Sequence, residues 1–133
     1  MKNRDMKKSA LQFRNPKIEQ ISFKVNNNFI EKEKVNIDMS SQISIQKNNE
    51  AREAVIKMML HLGEEGNAPF HMEIVASSDF RWKEDINFDI DNSLKVSGAT
   101  MLLSYLRPIV ANITMQSGLE AFHIPFIDFS ELQ

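Results

Sequence analysis

Apolar and polar residues alternate with a period of two from Lys17 to Trp82, and the period of a helix takes over only after residue 97. In KIEQISFKV (17–25), Ile21, Phe23 and Val25 stand on one side of an extended chain, and the asparagines at 26–28 supply a turn. The cleanest alternation runs from Val35 to Gln46. Val35, Ile37, Met39, Ile43 and Ile45 share a face with Ser41, while Asn36, Asp38, Ser40, Gln42, Ser44 and Gln46 make the opposite face wholly polar. One dry side and one wet side is the signature of a strand in an antiparallel sheet.

The next two runs, AVIKMMLHLG (54–63) and PFHMEIVASSDFRW (69–82), flank the turn-rich GEEGNA and read as a hairpin. Ile56, Met58, Leu60 and Leu62 line one face of the third run. Phe70, Met72, Ile74, Ala76, Phe80 and Trp82 line one face of the fourth. Val55 and Met59 make the other side of the third run partly apolar, which places it centrally, with a helix on one face and a further layer or subunit on the other. The crossover KEDINFDIDNSLKVS (83–97) mimics the start of a calcium loop at Asp85, Asn87 and Asp89. However, Ile90 stands where the turn glycine is required and Val96 where the closing glutamate belongs, so no calcium site is expected.

A helix is predicted from Ser97 or Ala99 to Ser117, with Ser97 or Thr100 as its cap and Gly118 as its stop. Its core stripe reads Leu102, Leu106, Ile109 and Ile113. Pro108 has no N–H for the Ser104 carbonyl, so a local kink is expected. The elements add up to an α+β fold: a four-stranded antiparallel sheet with a long helix packed on one face.

Composition narrows the function. A chain of 133 residues is one domain with a core of its own, expected over residues 16–133. Residues 1–15 carry Lys2, Arg4, Lys7, Lys8 and Arg14 against Asp5, and read as a flexible basic arm, solvated in preference to holding an acidic partner. The absence of cysteine removes disulfides, thiolate zinc sites and cysteine nucleophiles. A net charge of −2 gives no reason to expect nucleic acid. With no signal-peptide core and no membrane-spanning run, a cytoplasmic soluble protein is expected.

Nothing in the sequence assembles an acid, a base and a nucleophile. His61 and His71, with Glu73 two positions on, could form half of a metal site, but two exposed histidines on the wet face of a hairpin is the preferred reading. No nucleophile elbow and no glycine-rich phosphate loop exist in a chain with four glycines, and Glu64 and Glu65 lie in a turn. No catalytic residue, metal or cofactor is assigned, and the protein reads as a binder.

At this point the segments resemble the SecB family of export chaperones. IEQISFKVNN resembles the family's first strand, VNIDMSSQ its second and EAVIKMMLHLGEEGNAPFHMEI its central hairpin. SYLRPIVANIT is similar to its helix motif, with Tyr105 and Arg107 in place, and PFIDF to the segment leading into its last helix. The similarity runs from Arg14 to Leu132 with the elements in order. It implies a homo-oligomer, a dimer or dimer of dimers, and an ATP-independent holdase that grips unfolded polypeptides in apolar grooves. It also implies, residue by residue, a client groove at Val35, Ile37, Met39, Phe126, Phe129 and Leu132, and an oligomer contact at Met72 and Ile74. Of the acidic site that docks the motor SecA, Glu73 remains, while Gln20 and Lys24 stand where the family has carboxylates and His71 where it has leucine. Like charge disfavours a basic docking partner there. Two further departures are Pro108, where the family has an ordinary helix former, and a last helix cut short at Gln133. The alternative expectation is an adaptor or toxin–antitoxin-linked chaperone devoted to one partner without SecA docking.

Overall fold

The computed structural model of the protein describes residues 11–31, 35–64, 67–83 and 89–131. Four strands, β1 (Leu11–Val25), β2 (Met39–Asn48), β3 (Glu53–Leu62) and β4 (Phe70–Trp82), form one antiparallel sheet in the order β1-β4-β3-β2. The hairpin expected between the third and fourth runs is β3–β4, with Leu62 opposite Met72 and Met58 opposite Ala76. Because side chains alternate across a pleated strand, that register puts Ile56, Met58, Leu60, Leu62, Phe70, Met72, Ile74, Ala76 and Phe80 on one face. All are buried.

The helical part begins earlier than the sequence pattern predicts. α1 (Ile90–Ser93) is capped by Asp89, whose carboxylate accepts the Asn92 N–H, and neither Ser97 nor Thr100 caps a helix. A π-helical turn, Leu94–Gly98, then leads straight into α2 (Ala99–Gln116). The crossover therefore ends in helix, and Asp85 and Asn87 lie outside the described residues. α2 is unbroken at Pro108, whose ring is on its exposed side. Its buried stripe is Ala99, Leu102, Leu103, Leu106, Val110 and Thr114. Leu102 and Leu106 are as expected, while Ile109 and Ile113 sit at the flank and are only half buried. Gly118 ends α2 in the left-handed region, at φ 88°.

Two strand boundaries also differ from expectation. β1 starts at Leu11, so Leu11–Asn15 of the expected arm are in the sheet and the rest of that arm lies outside the described residues. Pro16 and the positive φ of Asn15 (52°) are accommodated by a break in register between Arg14 and Lys17, where the strand bulges. β2 starts at Met39, so Val35 and Ile37 precede it in irregular chain. The Asn26–Asn28 turn forms as predicted and is stitched to the β3–β4 connection. Asn26 donates from its backbone to the Pro69 carbonyl at 2.9 Å and from its side chain to the Ala68 carbonyl at 2.8 Å.

Candidate functional site

One helix cannot cover this sheet. A helix with side chains is about 10 Å wide, and strands lie about 4.8 Å apart, so roughly two of four strands fit fully beneath it. α2 packs on β1, β4 and β3, which leaves β2 at the open edge. On β2, Met39, Ser41, Ile43 and Ile45 are on the core side, opposite Leu62, Leu60, Met58 and Ile56. Met39 and Ile43 are half buried and Ile45 is exposed. The strand's far side, Ser40, Gln42, Ser44 and Gln46, is polar and exposed.

A cleft of about 400 Å³ follows from this geometry, lined by Ser41, Ile43, Ile45, Lys95 and Phe129. Lys95 comes from the π-helical turn, and Phe129 opens a single 3-10 turn (Phe129–Glu131) beyond α2. The ion pair between the Lys47 ammonium and the Asp91 carboxylate ties β2 to α1 at one end. Asp128 accepts from both the backbone N–H and the hydroxyl of Ser130. The Ser130 hydroxyl, then its N–H, holds the Asp128 carboxyl below its usual range.

The residues expected to line a client groove are thus only partly brought together. Phe129 is in the cleft wall but is itself buried, at 3% exposure, whereas Phe126, three residues earlier, is 76% exposed. Val35 is 41% exposed. Ile37 and Met39 are half buried and packed on the core, and Leu132 lies outside the described residues. The cleft's own apolar floor, Ile43 and Ile45, carries the same period-two signal as Met39. Comparing helix width with sheet width identifies it. Lys95 has no sequence signal pointing to the cleft.

Met72 and Ile74, expected at an oligomer contact, face α2 and are buried within the chain. Their neighbours of opposite parity are on the outer face. There Glu73 is opposite His61 on β3 and Ser22 on β1, Lys24 is opposite His71, and Gln20 is opposite Val75. Gln20, Lys24 and Glu73 therefore share one face. Elsewhere on that face Glu19 is paired with Lys57 at 3.1 Å and Glu53 with Arg81 at 2.7 Å. The Ser77 hydroxyl, then the Lys57 ammonium, holds the Glu19 carboxyl below its usual value.

The histidines do not face each other. His61 Nδ1 is 3.9 Å from both Glu64 and Glu73, while His71 Nδ1 engages the Gly63 carbonyl. Among the described residues no three histidine, aspartate or glutamate side chains are grouped to hold a metal ion. No helix of the described residues is long and apolar enough to cross a membrane.

Sheet, covering helix and an apolar cleft at the uncovered edge define an α+β binding protein. Its sequence matches the SecB family, described as preprotein translocase subunit SecB, over residues 5–133, and the chain belongs to that family. Membership of that family supports a chaperone role. The fold is shared with the SecB-like chaperone Rv1957 of Mycobacterium tuberculosis, solved in complex with a ChAD peptide from the Rv1956 HigA1 antitoxin. The two align with a TM-score of 0.72 at 12% identity, over 90% of this chain and 92% of that one. A protein of unknown function from Streptococcus agalactiae aligns with a TM-score of 0.49 at 15% identity, over 87% and 97% of the two chains. A search of curated proteins finds no sequence match.

Proposed function

We propose that the protein is an ATP-independent holdase that takes extended segments of unfolded or nascent polypeptides into the cleft beside β2, in the cytoplasm and as a homo-oligomer. The observation that carries this reading is the edge of the sheet that α2 leaves open, where Ile43 and Ile45 meet the Phe129 wall and, among the described residues, β2 is paired on one side only. An extended client can lay alternate side chains on these residues while its backbone runs along the strand. Apolar contact of this kind contributes about 25 cal/mol per Å² covered and reads no sequence, which suits many clients. Phe126 and Val35 add exposed apolar surface, and Lys95 beside the apolar floor favours client segments with an acidic neighbour. The expected result is that the purified protein slows aggregation of a denatured model substrate at near-stoichiometric ratio. A folded, oligomeric preparation without suppression would sink the reading.

A second reading, a chaperone devoted to one partner such as an antitoxin, is favoured by the outer face. With Gln20 and Lys24 on the face of Glu73, and Glu19 and Glu53 already paired with cations, the acidic charge this face offers a basic motor domain is chiefly Glu73 and Asp79. Capture from the native host separates the two. One stoichiometric partner supports the dedicated chaperone; a broad set of unfolded chains that includes exported proteins supports the holdase.

A further inference from the structure

The segment Leu119–Asp128 forms neither helix nor strand and leads into the Phe129–Glu131 turn, yet Ile124 and Phe129 are seated in the core while Phe126 is presented to solvent. Among the described residues its polar tethers run mainly to α2. The Leu119 N–H donates to the Thr114 carbonyl at 3.2 Å, the Phe122 N–H to Thr114 Oγ1 at 2.8 Å, and Arg107 Nη2 to the Pro125 carbonyl at 3.3 Å. The last is incomplete, since the buried Nε of Arg107 has no partner among the described residues. The stretch is held chiefly by apolar packing, with Leu119, Phe122 and Ile127 also against the core, and apolar packing is the kind of contact that a client's own side chains can replace.

Phe129 is the part of this stretch that touches the cleft. It shares the wall with Ile43, Ile45 and Lys95, and the Asp128–Ser130 turn sets the backbone just before and after it. An aromatic side chain tucked in beside an edge strand does what a bound client's side chain would do, keeping water and other chains off the apolar floor.

We propose that Leu119–Glu131 is a displaceable strap in which Phe129 occupies the inner end of the client cleft and is exchanged for a client's apolar side chain on binding. This rests on the holdase reading of the same cleft. Exchange of one apolar group for another is close to balanced, so the strap weakens every client alike and keeps the inner end of the cleft filled between clients. Phe126 is outside the exchange and meets the incoming chain.

The test is fluorescence anisotropy with a fluorescein-labelled extended peptide of alternating leucine and serine, titrated with the full chain and two variants. Phe129→Ala is expected to bind about tenfold tighter than the parent, equivalent to about 1.4 kcal/mol. Asp128→Ala, which loosens the turn and leaves the ring, moves the affinity in the same direction by less. Circular dichroism checks that each variant is folded. Fluorophenylalanine incorporation, with the resonance of residue 129 assigned, provides a second readout, and peptide saturation is expected to shift that resonance toward solvent. Weaker or unchanged binding by folded Phe129→Ala, or a resonance unmoved at saturation, overturns the strap while leaving the cleft as the client site. No binding by the parent or either variant overturns both.

Discussion

Gly98 lies so close to Ile56 that a Cβ on the glycine would collide with the Ile56 Cδ1. The π-helical turn that leads into α2 is thereby seated directly on β3, and the whole helix is positioned over the sheet through this contact. Gly98→Ala is expected to force the end of the isoleucine side chain to move, an overpacking cost of at most about 1–3 kcal/mol set against the roughly 1 kcal/mol that alanine gains over glycine in a helix. Gly118→Ala provides the comparison. Nothing lies within 4 Å of a Cβ at Gly118, but its φ is 88°, so only the left-handed backbone is penalised, by about 1–2 kcal/mol. Urea unfolding of both variants checks this. Gly98→Ala is expected to disturb the near-ultraviolet spectrum of the aromatic core, beginning with Phe80 beside it, and Gly118→Ala to leave it unchanged.

Ile74 is fully buried between β4 and α2. Truncation to alanine is expected to destabilise the fold by about 2–5 kcal/mol, as removal of a large core side chain does. The denaturation midpoint of Ile74→Ala is expected to fall by the same amount at every protein concentration. A loss that disappeared on raising the concentration would instead mark an assembly contact.

The sheet and its dry face were legible because period two is strong wherever one face is buried, as in Ile56 to Leu62 and Phe70 to Phe80. The helix was legible from Leu102 and Leu106, and its end from Gly118. Three features were not. The cap at Asp89 competes with serines and threonines further along, and the chain gives no local reason to start the helix seven residues before Ser97. Pro16 argues against a strand through residues 11–17, and only the bulge observed there allows one. The cleft depends on which strand α2 leaves uncovered, a fact about widths and sheet order that no single segment encodes. The same gap explains Phe129, because burial of an irregular segment is set by the surface that receives it.

Glu19 gives the outer face its pH dependence. Its carboxyl is held below the ordinary value of 4.5 by the Ser77 hydroxyl and by Lys57. A carboxylate with a depressed folded-state pKa stabilises the fold above its unfolded pKa, and that contribution is lost as pH falls through the lower folded value. The acid limb of the stability curve is therefore expected to steepen below about pH 4.5. Glu19→Gln is expected to make that limb shallower and to leave the slope near neutral pH as it was. Thermal unfolding from pH 3 to pH 7 checks it, and an unchanged acid limb in the variant would remove Glu19 from the account. High salt is expected to narrow the difference, since the Lys57 pair is partly exposed.

Phe126 and Ile45 separate binding from stability. Phe126 is 76% exposed and Ile45 36%, so Phe126 contributes little core burial, and Phe126→Ala is expected to shift stability by less than about 0.5 kcal/mol. Both are nonetheless apolar surface that an unfolded chain can cover. Loss of one aromatic contact from a client complex is expected to cost about 1–2 kcal/mol, a fall in affinity of roughly fivefold to thirtyfold. Ile45→Ser on the cleft floor is expected to act in the same direction, and the pair to add, because the two sites contact different parts of an extended client. Aggregation suppression measured at several chaperone ratios checks the order: parent, then either single variant, then the double. Suppression unchanged in the double variant would place client binding on another surface, and the outer face around Val55 and Met59 would be the next to test.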